Sequence, residues 1–134
     1  MKISLSVPHF FGNELHNLKQ CIKKRWISSS GSIGTDFEKR VKNYIGSKYA
    51  LGVINCTSAL QLSVRLLNPK PKDEVIVPSI TFVASVNAIV YNNCKPIFLD
   101  CDENLLLDTE KTLEFLNTKT FQHKGACYNK TTKK

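Results

Sequence analysis

Apolar and polar residues follow two different patterns along this chain, a helical one near the start and a strand-like one after residue 48. Beyond Asn13, apolar side chains recur at near-helical spacing at Leu15, Leu18, Ile22 and Trp26, with polar residues on the opposite face. This spacing predicts an amphipathic helix that Asn13 caps.

A second helix is predicted after a loop of small residues that spans positions 27–34. Thr35 and Glu38 have the spacing of a capping box, in which each side chain bonds a free backbone N–H at a helix start. The helix would end at Gly46 and bury one face made of Phe37, Val41 and Ile45.

After residue 48, short apolar runs alternate with helical segments, which is typical of a parallel α/β sheet. The predicted strands are Tyr49–Ile54, Glu74–Val77 and Lys95–Leu99, and the helices between them are Ser58–Leu67 and Phe82–Tyr91. Asp108 would cap a further helix, and residues 117–134 are polar with no clear period. We therefore expect one domain, with a helical segment at 1–48 and a partial α/β domain at 49–134.

Charge, hydropathy and cysteine content bear on whether the chain is a nucleic-acid-binding, membrane, secreted or disulfide-bonded protein. The net charge is +8, but only Arg25, Arg40 and Arg65 among 19 basic residues are arginine, and the lysines are scattered. Solvated helix faces explain such lysines better than a nucleic-acid patch, although a basic nucleic-acid-binding domain stays a rival. No apolar run is long enough for a membrane helix or a secretory leader, so we expect a cytoplasmic protein without a membrane. The five cysteines form no C-x-x-C pair and are expected to be free thiols.

One strand-to-helix junction offers a site for an anion. The run from Ile54 to Leu60 leads from a predicted buried strand directly into a helix, so free N–H groups and the hydroxyls of Thr57 and Ser58 meet at a positive helix end. A phosphate would fit there. The alternative is that Thr57 or Ser58 simply caps the helix, which is the commoner role for such residues at this spacing. No glycine-rich dinucleotide or nucleoside-triphosphate motif is present.

Two further junctions have open interpretations. Phe82 follows the second predicted strand at the edge where α/β sheets bind ligands, so it is either a stacking surface for a flat ring or an ordinary core residue. Asp100, Asp102 and Glu103 follow the third strand, and an acidic turn explains them better than a magnesium site.

Several ordered motifs together resemble the N-terminal part of the DegT/StrS-type sugar aminotransferases. The resemblance extends over residues 3–117 and rests on runs that include Leu5-Ser6-Val7-Pro8, Trp26-Ile27-Ser28-Ser29-Ser30-Gly31, Asn55-Cys56-Thr57-Ser58-Ala59-Leu60, Asp73-Glu74-Val75-Ile76-Val77-Pro78, Thr81-Phe82-Val83-Ala84-Ser85 and Lys95-Pro96-Ile97-Phe98-Leu99-Asp100. The polar stretch Cys127-Tyr128-Asn129-Lys130 resembles an insertion in the branch that makes 4-amino sugars for bacillosamine or legionaminic acid.

The resemblance implies a fold, a cofactor and site residues. The fold would be a partial type I pyridoxal-phosphate transferase large domain, a three-layer α/β/α sheet that is incomplete at the C-terminus. Its first strand would lie apart from the other two, with strands from later sequence between them. Thr57 and Ser58 would hold the phosphate of pyridoxal 5′-phosphate, Phe82 would stack on its ring, and Ser29 and Ser30 would lie near the substrate. Cys56 stands where the family commonly has glycine.

The implied activity is transfer of an amino group from glutamate to a nucleotide-linked 4-keto-6-deoxysugar, in a homodimeric parent enzyme. Family members run to several hundred residues, so the resemblance implies a fragment that lacks the Schiff-base lysine and is inactive alone. A rival from another class is a non-catalytic remnant or binding module that keeps the phosphate cradle.

Overall fold

The computed structural model of the chain describes residues 3–4, 6–28 and 31–134. The chain divides into two compact units, residues 1–52 and residues 53–134. The first unit contains helices α1 (Glu14–Lys23) and α2 (Ser32–Ile45). The second contains α3 (Cys56–Leu66), β1 (Glu74–Pro78), α4 (Val83–Tyr91), β2 (Lys95–Leu99), α5 (Thr109–Lys119), β3 (Thr120–His123) and β4 (Ala126–Asn129).

The helices of the first unit form where the pattern predicts them, but they begin differently. Asn13 occupies the cap position of α1, yet its side chain makes no capping hydrogen bond. Helix α2 begins three residues before Thr35, with an extended Gly31 as its cap, so the predicted capping box is wrong. Oε1 of Glu38 instead accepts the backbone N–H of Gly52 at 2.8 Å. Gly46 ends α2 in the left-handed region, at φ 74°, which confirms that prediction.

The predicted strand Tyr49–Ile54 is absent, because none of these residues is in a strand. A strand is stabilised by backbone hydrogen bonds to a neighbouring strand, and an apolar sequence does not by itself supply that neighbour. In the described part of the chain, β1 and β2 pair only with each other. The resemblance anticipates this result, since it places the first strand beside strands from later sequence.

The core of the second unit lies between one face of the β1–β2 sheet and α4. The two strands are parallel, with Ile76 opposite Ile97, and α4 lies in the crossover between them. Val77, Ile89 and Cys94 form the buried cluster, with Val75 and Val86 packed against it. The odd-numbered residues of β1 therefore face α4, as the period of two in a strand requires.

The opposite face of the sheet lines a cavity of about 570 Å³. Ile76 and Ile97 form its sheet side, and Phe115 and Leu116 of α5 contribute a second wall. Helical side chains thus meet both faces of the sheet, which confirms an α/β fold with parallel strands. Asp108 caps α5 as predicted, because its Oδ1 accepts the Lys111 N–H at 3.0 Å.

The polar stretch after Asn117 is more ordered than its pattern indicates. Helix α5 continues to Lys119, and β3 then pairs antiparallel with β4. Lys124 and Gly125 join the strands with φ values of 49° and 77°, the two positive values of a type I′ hairpin turn. The local signal is therefore Lys-Gly between two short runs that each carry an aromatic residue.

Within the described ranges, no helix has the length and apolar character needed to cross a membrane.

Candidate functional site

The beginning of α3 has one specific capping contact. Asn55 is extended, with φ −161°, and its Oδ1 accepts the backbone N–H of Ser58 at 2.8 Å. The cap of this helix is therefore Asn55, and the alternative that Thr57 or Ser58 is the cap is wrong. An asparagine directly before a helix was the sequence signal for this role.

The capping contact leaves backbone donors at the same helix end. Cys56 and Thr57 are the first two residues of α3, and N–H groups in a first helical turn have no acceptor within the helix. Cys56 is exposed, whereas Thr57 and Ser58 are half-buried. The first turn contains no acidic residue, so the helix end keeps its positive potential. These N–H groups and two hydroxyls are a donor set that suits a phosphate group.

Phe82 lies at the second predicted junction, after the end of β1. It is the cap residue of α4, has extended backbone angles, and its side chain is 79% exposed. Phe82 is thus outside the apolar core, contrary to the alternative of an ordinary core residue. Helices α3 and α4 pack against each other, so the helix that carries Thr57 and Ser58 is a neighbour of the one that Phe82 begins.

A side-chain contact supports this helix pair. Nδ2 of Asn92, at the end of α4, donates to the carbonyl oxygen of Gln61 in α3 at 3.0 Å and to that of Ala88 at 2.8 Å. The loop after β1 is attached to the other strand as well, because the Ser79 N–H donates to the Leu99 carbonyl at 2.8 Å. Hydrogen bonds therefore position both α3, which carries Thr57 and Ser58, and the loop that leads to Phe82.

The acidic residues after β2 form a turn, as the sequence favours. Oδ1 of Asp102 accepts the N–H groups of Asn104 and Leu106, each at 2.9 Å.

Asp100 pairs with Lys111 through a 2.5 Å contact between Oδ2 and Nζ. This hydrogen bond, followed by the one from the Cys101 N–H, lowers the pKa of the Asp100 carboxyl from its ordinary value. The same contact raises the pKa of Lys111. The described residues contain no group of three or more metal-binding side chains.

The predicted substrate residues and the cysteines complete the set of sequence predictions. Ser29 and Ser30, which are predicted to bind substrate, lie outside the described residues. All five cysteines are free, and burial, with a smaller contribution from the Asp73 charge, raises the pKa of the Cys94 thiol. Cys56, at the start of α3, is an exposed thiol beside the candidate phosphate site.

Comparison with known proteins identifies relatives among sugar aminotransferases. The family model described as "DegT/DnrJ/EryC1/StrS aminotransferase family" matches residues 10–125. GDP-perosamine synthase of Caulobacter vibrioides is 37% identical over 120 residues, which are 89% of this chain and 32% of that protein. A dTDP-3-amino-3,6-dideoxy-alpha-D-galactopyranose transaminase of Aneurinibacillus thermoaerophilus is 35% identical over 77% of this chain and 28% of its own length.

Solved structures agree with this result. The aminotransferase of Psychrobacter cryohalolentis has a TM-score of 0.65 at 31% identity, over 72% of this chain and 25% of that one. A Streptococcus pneumoniae protein solved in its pyridoxal-phosphate form has a TM-score of 0.75 at 26% identity, over 85% of this chain and 29% of that one. The chain thus spans about a third or less of the length of these relatives.

The fold and its neighbours define a class, namely a partial α/β domain of the type I pyridoxal-phosphate-dependent aminotransferases. Within that class, the chain belongs to the DegT/DnrJ/EryC1/StrS aminotransferase family. Pyridoxal phosphate is the cofactor of this family, and the donor set at the start of α3 fits its phosphate group.

Proposed function

We propose that this chain forms the phosphate-binding part of an enzyme that transfers an amino group from glutamate to a nucleotide-linked 4-keto-6-deoxysugar. The observation that carries the proposal is the beginning of α3, where Asn55 caps the helix and the N–H groups of Cys56 and Thr57 have no partner among the described residues. Two relatives named for GDP- and dTDP-linked amino sugars support the substrate class.

In this proposal, the chain's own residues bind and orient the cofactor. The first-turn N–H groups of α3 and the hydroxyls of Thr57 and Ser58 hold the phosphate dianion, whose charge the helix end stabilises. Phe82 provides an exposed aromatic face for the flat ring. When bound, pyridoxal phosphate supplies the electron sink through which an amino group moves between donor and acceptor.

We propose the remaining assignments from the resemblance to the family. Ser29 and Ser30 contact the sugar substrate, the complete enzyme is a homodimer, and it acts in the cytoplasm. We also propose that residues 1–134 alone catalyse no turnover, because they correspond to about a third of a relative that has the full activity. Incubation of the chain with pyridoxal phosphate, glutamate and a keto sugar tests this, and formation of amino sugar would contradict it.

The phosphate role is tested with Ser58→Asp. The added carboxylate would lie against a phosphate dianion in a half-buried position, and the expected loss of binding is ~1–3 kcal/mol, about 5- to 150-fold in affinity. An acidic residue in the first turn does not destabilise a helix, so the stability of α3 should be unchanged or slightly higher. The two measurements therefore separate loss of the ligand from loss of the fold.

The measurement is a titration of the chain with pyridoxal phosphate and with inorganic phosphate, followed through the backbone amide shifts of Cys56 and Thr57. The matched control is Gln61→Glu, which adds the same charge one turn further along the exposed face of α3 and should change affinity by less than about threefold. Unchanged affinity in Ser58→Asp would show that the phosphate does not bind here.

A further inference from the structure

The β3–β4 hairpin and the residues on either side of it carry a concentrated positive charge. This hairpin segment, residues 117–134, contains five lysines and no aspartate or glutamate, so it holds +5 of the chain's net charge of +8. Its lysines are all exposed, namely Lys119, Lys124, Lys130, Lys133 and Lys134. Both ion pairs in the described part of the chain are made by Lys111, so the lysines of the hairpin segment pair with no carboxylate there. Their charge is therefore available to an anionic partner.

The backbone of β3 is open along its outer edge. The Lys130 N–H donates to the Lys119 carbonyl at 2.8 Å, and this bond fixes which residues of the hairpin face each other through hydrogen bonds. The backbone groups of Phe121 and His123 therefore face β4, whereas the N–H and C=O of Gln122 point to the outer edge. Among the described residues, β3 pairs with β4 and with no second strand.

Several contacts hold the hairpin in one conformation. The rings of Phe121 and Tyr128 stack across the two strands, with centroids 5.7 Å apart. Nδ2 of Asn129 donates to Oε2 of Glu74 at 2.9 Å, which attaches β4 to the first residue of β1. The backbone N–H of Asn129 donates to the Lys134 carbonyl at 2.7 Å, so part of the outer edge of β4 is already occupied. The ordered hairpin lowers the entropy cost of binding at the edge of β3 that stays open.

The hairpin lies at the opposite end of β1 from the candidate cofactor residues. Asn129 contacts Glu74 at the start of β1, whereas Phe82 follows Pro78 at its end. A strand of this length extends about 13 Å from its first to its last Cα atom. The hairpin segment is therefore separate from the proposed cofactor site, and binding at one does not require binding at the other.

The chemistry of this edge favours one kind of anionic partner. Unpaired backbone N–H and C=O groups bind another polypeptide strand, and a phosphate group or a lipid surface does not pair with both. The hairpin segment contains no arginine, the side chain that is best suited to phosphate and nucleic-acid recognition. Lysines at a strand edge oppose pairing with basic chains, so the strand that this edge accepts is an acidic one.

We propose that the outer edge of β3 is a docking site for an acidic polypeptide. The partner adds a strand beside Gln122, and its carboxylates face Lys119 and Lys124, which flank β3. An isolated two-stranded hairpin is marginally stable in water, so the added strand also stabilises the hairpin. A second copy of this chain is a poor occupant, because its own net charge of +8 opposes association.

The test is an NMR titration of the 134-residue chain with two synthetic peptides of about ten residues, the upper length of an ordinary strand. One peptide alternates threonine with glutamate and the other alternates threonine with glutamine, so the charge is what distinguishes them. The glutamate peptide should slow amide exchange at Gln122 by at least about tenfold, since this N–H gains a strand partner. Phe121 is the internal control, because its N–H already faces β4. The glutamine peptide should bind at least about tenfold more weakly.

The double substitution Lys119→Gln and Lys124→Gln tests the charge on the protein. It should weaken binding of the glutamate peptide by about three- to tenfold, and the difference should shrink at high salt because exposed charges are then screened. The matched control is Lys19→Gln with Lys39→Gln, which removes the same charge from exposed positions in α1 and α2. The control should change affinity by less than about twofold.

Four results would overturn the proposal. Exchange at Gln122 that the glutamate peptide does not slow would exclude strand addition. Equal binding of the two peptides, or equal losses in the two double variants, would show that the lysines beside β3 do not recognise the partner. Tighter binding of a single-stranded RNA or of phosphatidylserine vesicles than of the glutamate peptide would show that the surface serves a nucleic acid or a membrane instead.

Discussion

The cap at Asn55 gives a prediction that separates the stability of α3 from its binding role. Asn55→Ala removes the Oδ1 that accepts the Ser58 N–H at 2.8 Å, so one donor at the helix start loses its protein partner. Loss of an asparagine cap costs ~0.5–2 kcal/mol, and the exposure of Asn55 to water places the expected cost near the middle, at about 1 kcal/mol. A free-energy change of that size corresponds to roughly a fivefold change in local opening.

Amide exchange at Ser58 measures this directly and needs no cooperative unfolding of the whole chain. Asn55→Ala should accelerate exchange at Ser58 about fivefold, whereas Asn55→Asp keeps a capping oxygen and should leave it close to the original rate. The aspartate variant should nevertheless bind phosphate more weakly, because it adds a negative charge beside the same helix end. If Asn55→Ala leaves exchange at Ser58 unchanged, the capping contact does not stabilise α3 and the geometry of the site must be reconsidered.

Three further predictions test the second unit. Ile89 is 3% exposed, and Ile89→Ala should destabilise the unit by ~2–5 kcal/mol in urea unfolding. Val90 is 49% exposed, and the control Val90→Ala should cost less than about 1 kcal/mol. Equal effects of the two substitutions would contradict the assigned core. Lys111 holds the carboxyl pKa of Asp100 low, so this pair stabilises the fold above the pKa of the unfolded state, and that stability is lost as pH falls through the folded pKa. Lys111→Met should therefore raise the Asp100 pKa in an NMR titration. An unchanged pKa would refute the pairing. Gly125→Ala places a side chain at φ 77° and should cost about 1–2 kcal/mol. NMR contacts between the rings of Phe121 in β3 and Tyr128 in β4, which stack 5.7 Å apart, should weaken, and undiminished contacts would argue against the turn geometry.

Local signals determined most of the element positions. The run Glu74–Val77 became β1 with one added residue, and Lys95–Leu99 is β2 as predicted. Gly46 ends α2 and Asp108 caps α5, since each role needs only the residue and its own turn of helix. The resemblance named the family and its cofactor, which the comparisons confirm.

Other features depend on groups distant in sequence or on backbone angles that the sequence pattern does not specify. Thr57 and Asn55 are both good cap residues, and only the extended backbone of Asn55 decides between them. The partner of Glu38 is a backbone group fourteen residues away. The roles of Thr57, Ser58 and Phe82 toward the cofactor stay predictions.

The run Tyr49–Ile54 shows the limit most clearly. Its apolar residues have the composition of a buried strand, and by itself the sequence determines that much. Whether such a run becomes a strand is decided by the tertiary structure, because its N–H and C=O groups need a neighbouring strand to bond. Here residues 49–54 pair with no strand in the described part of the chain, so the same apolar pattern gives a strand at Glu74 and irregular backbone at Tyr49.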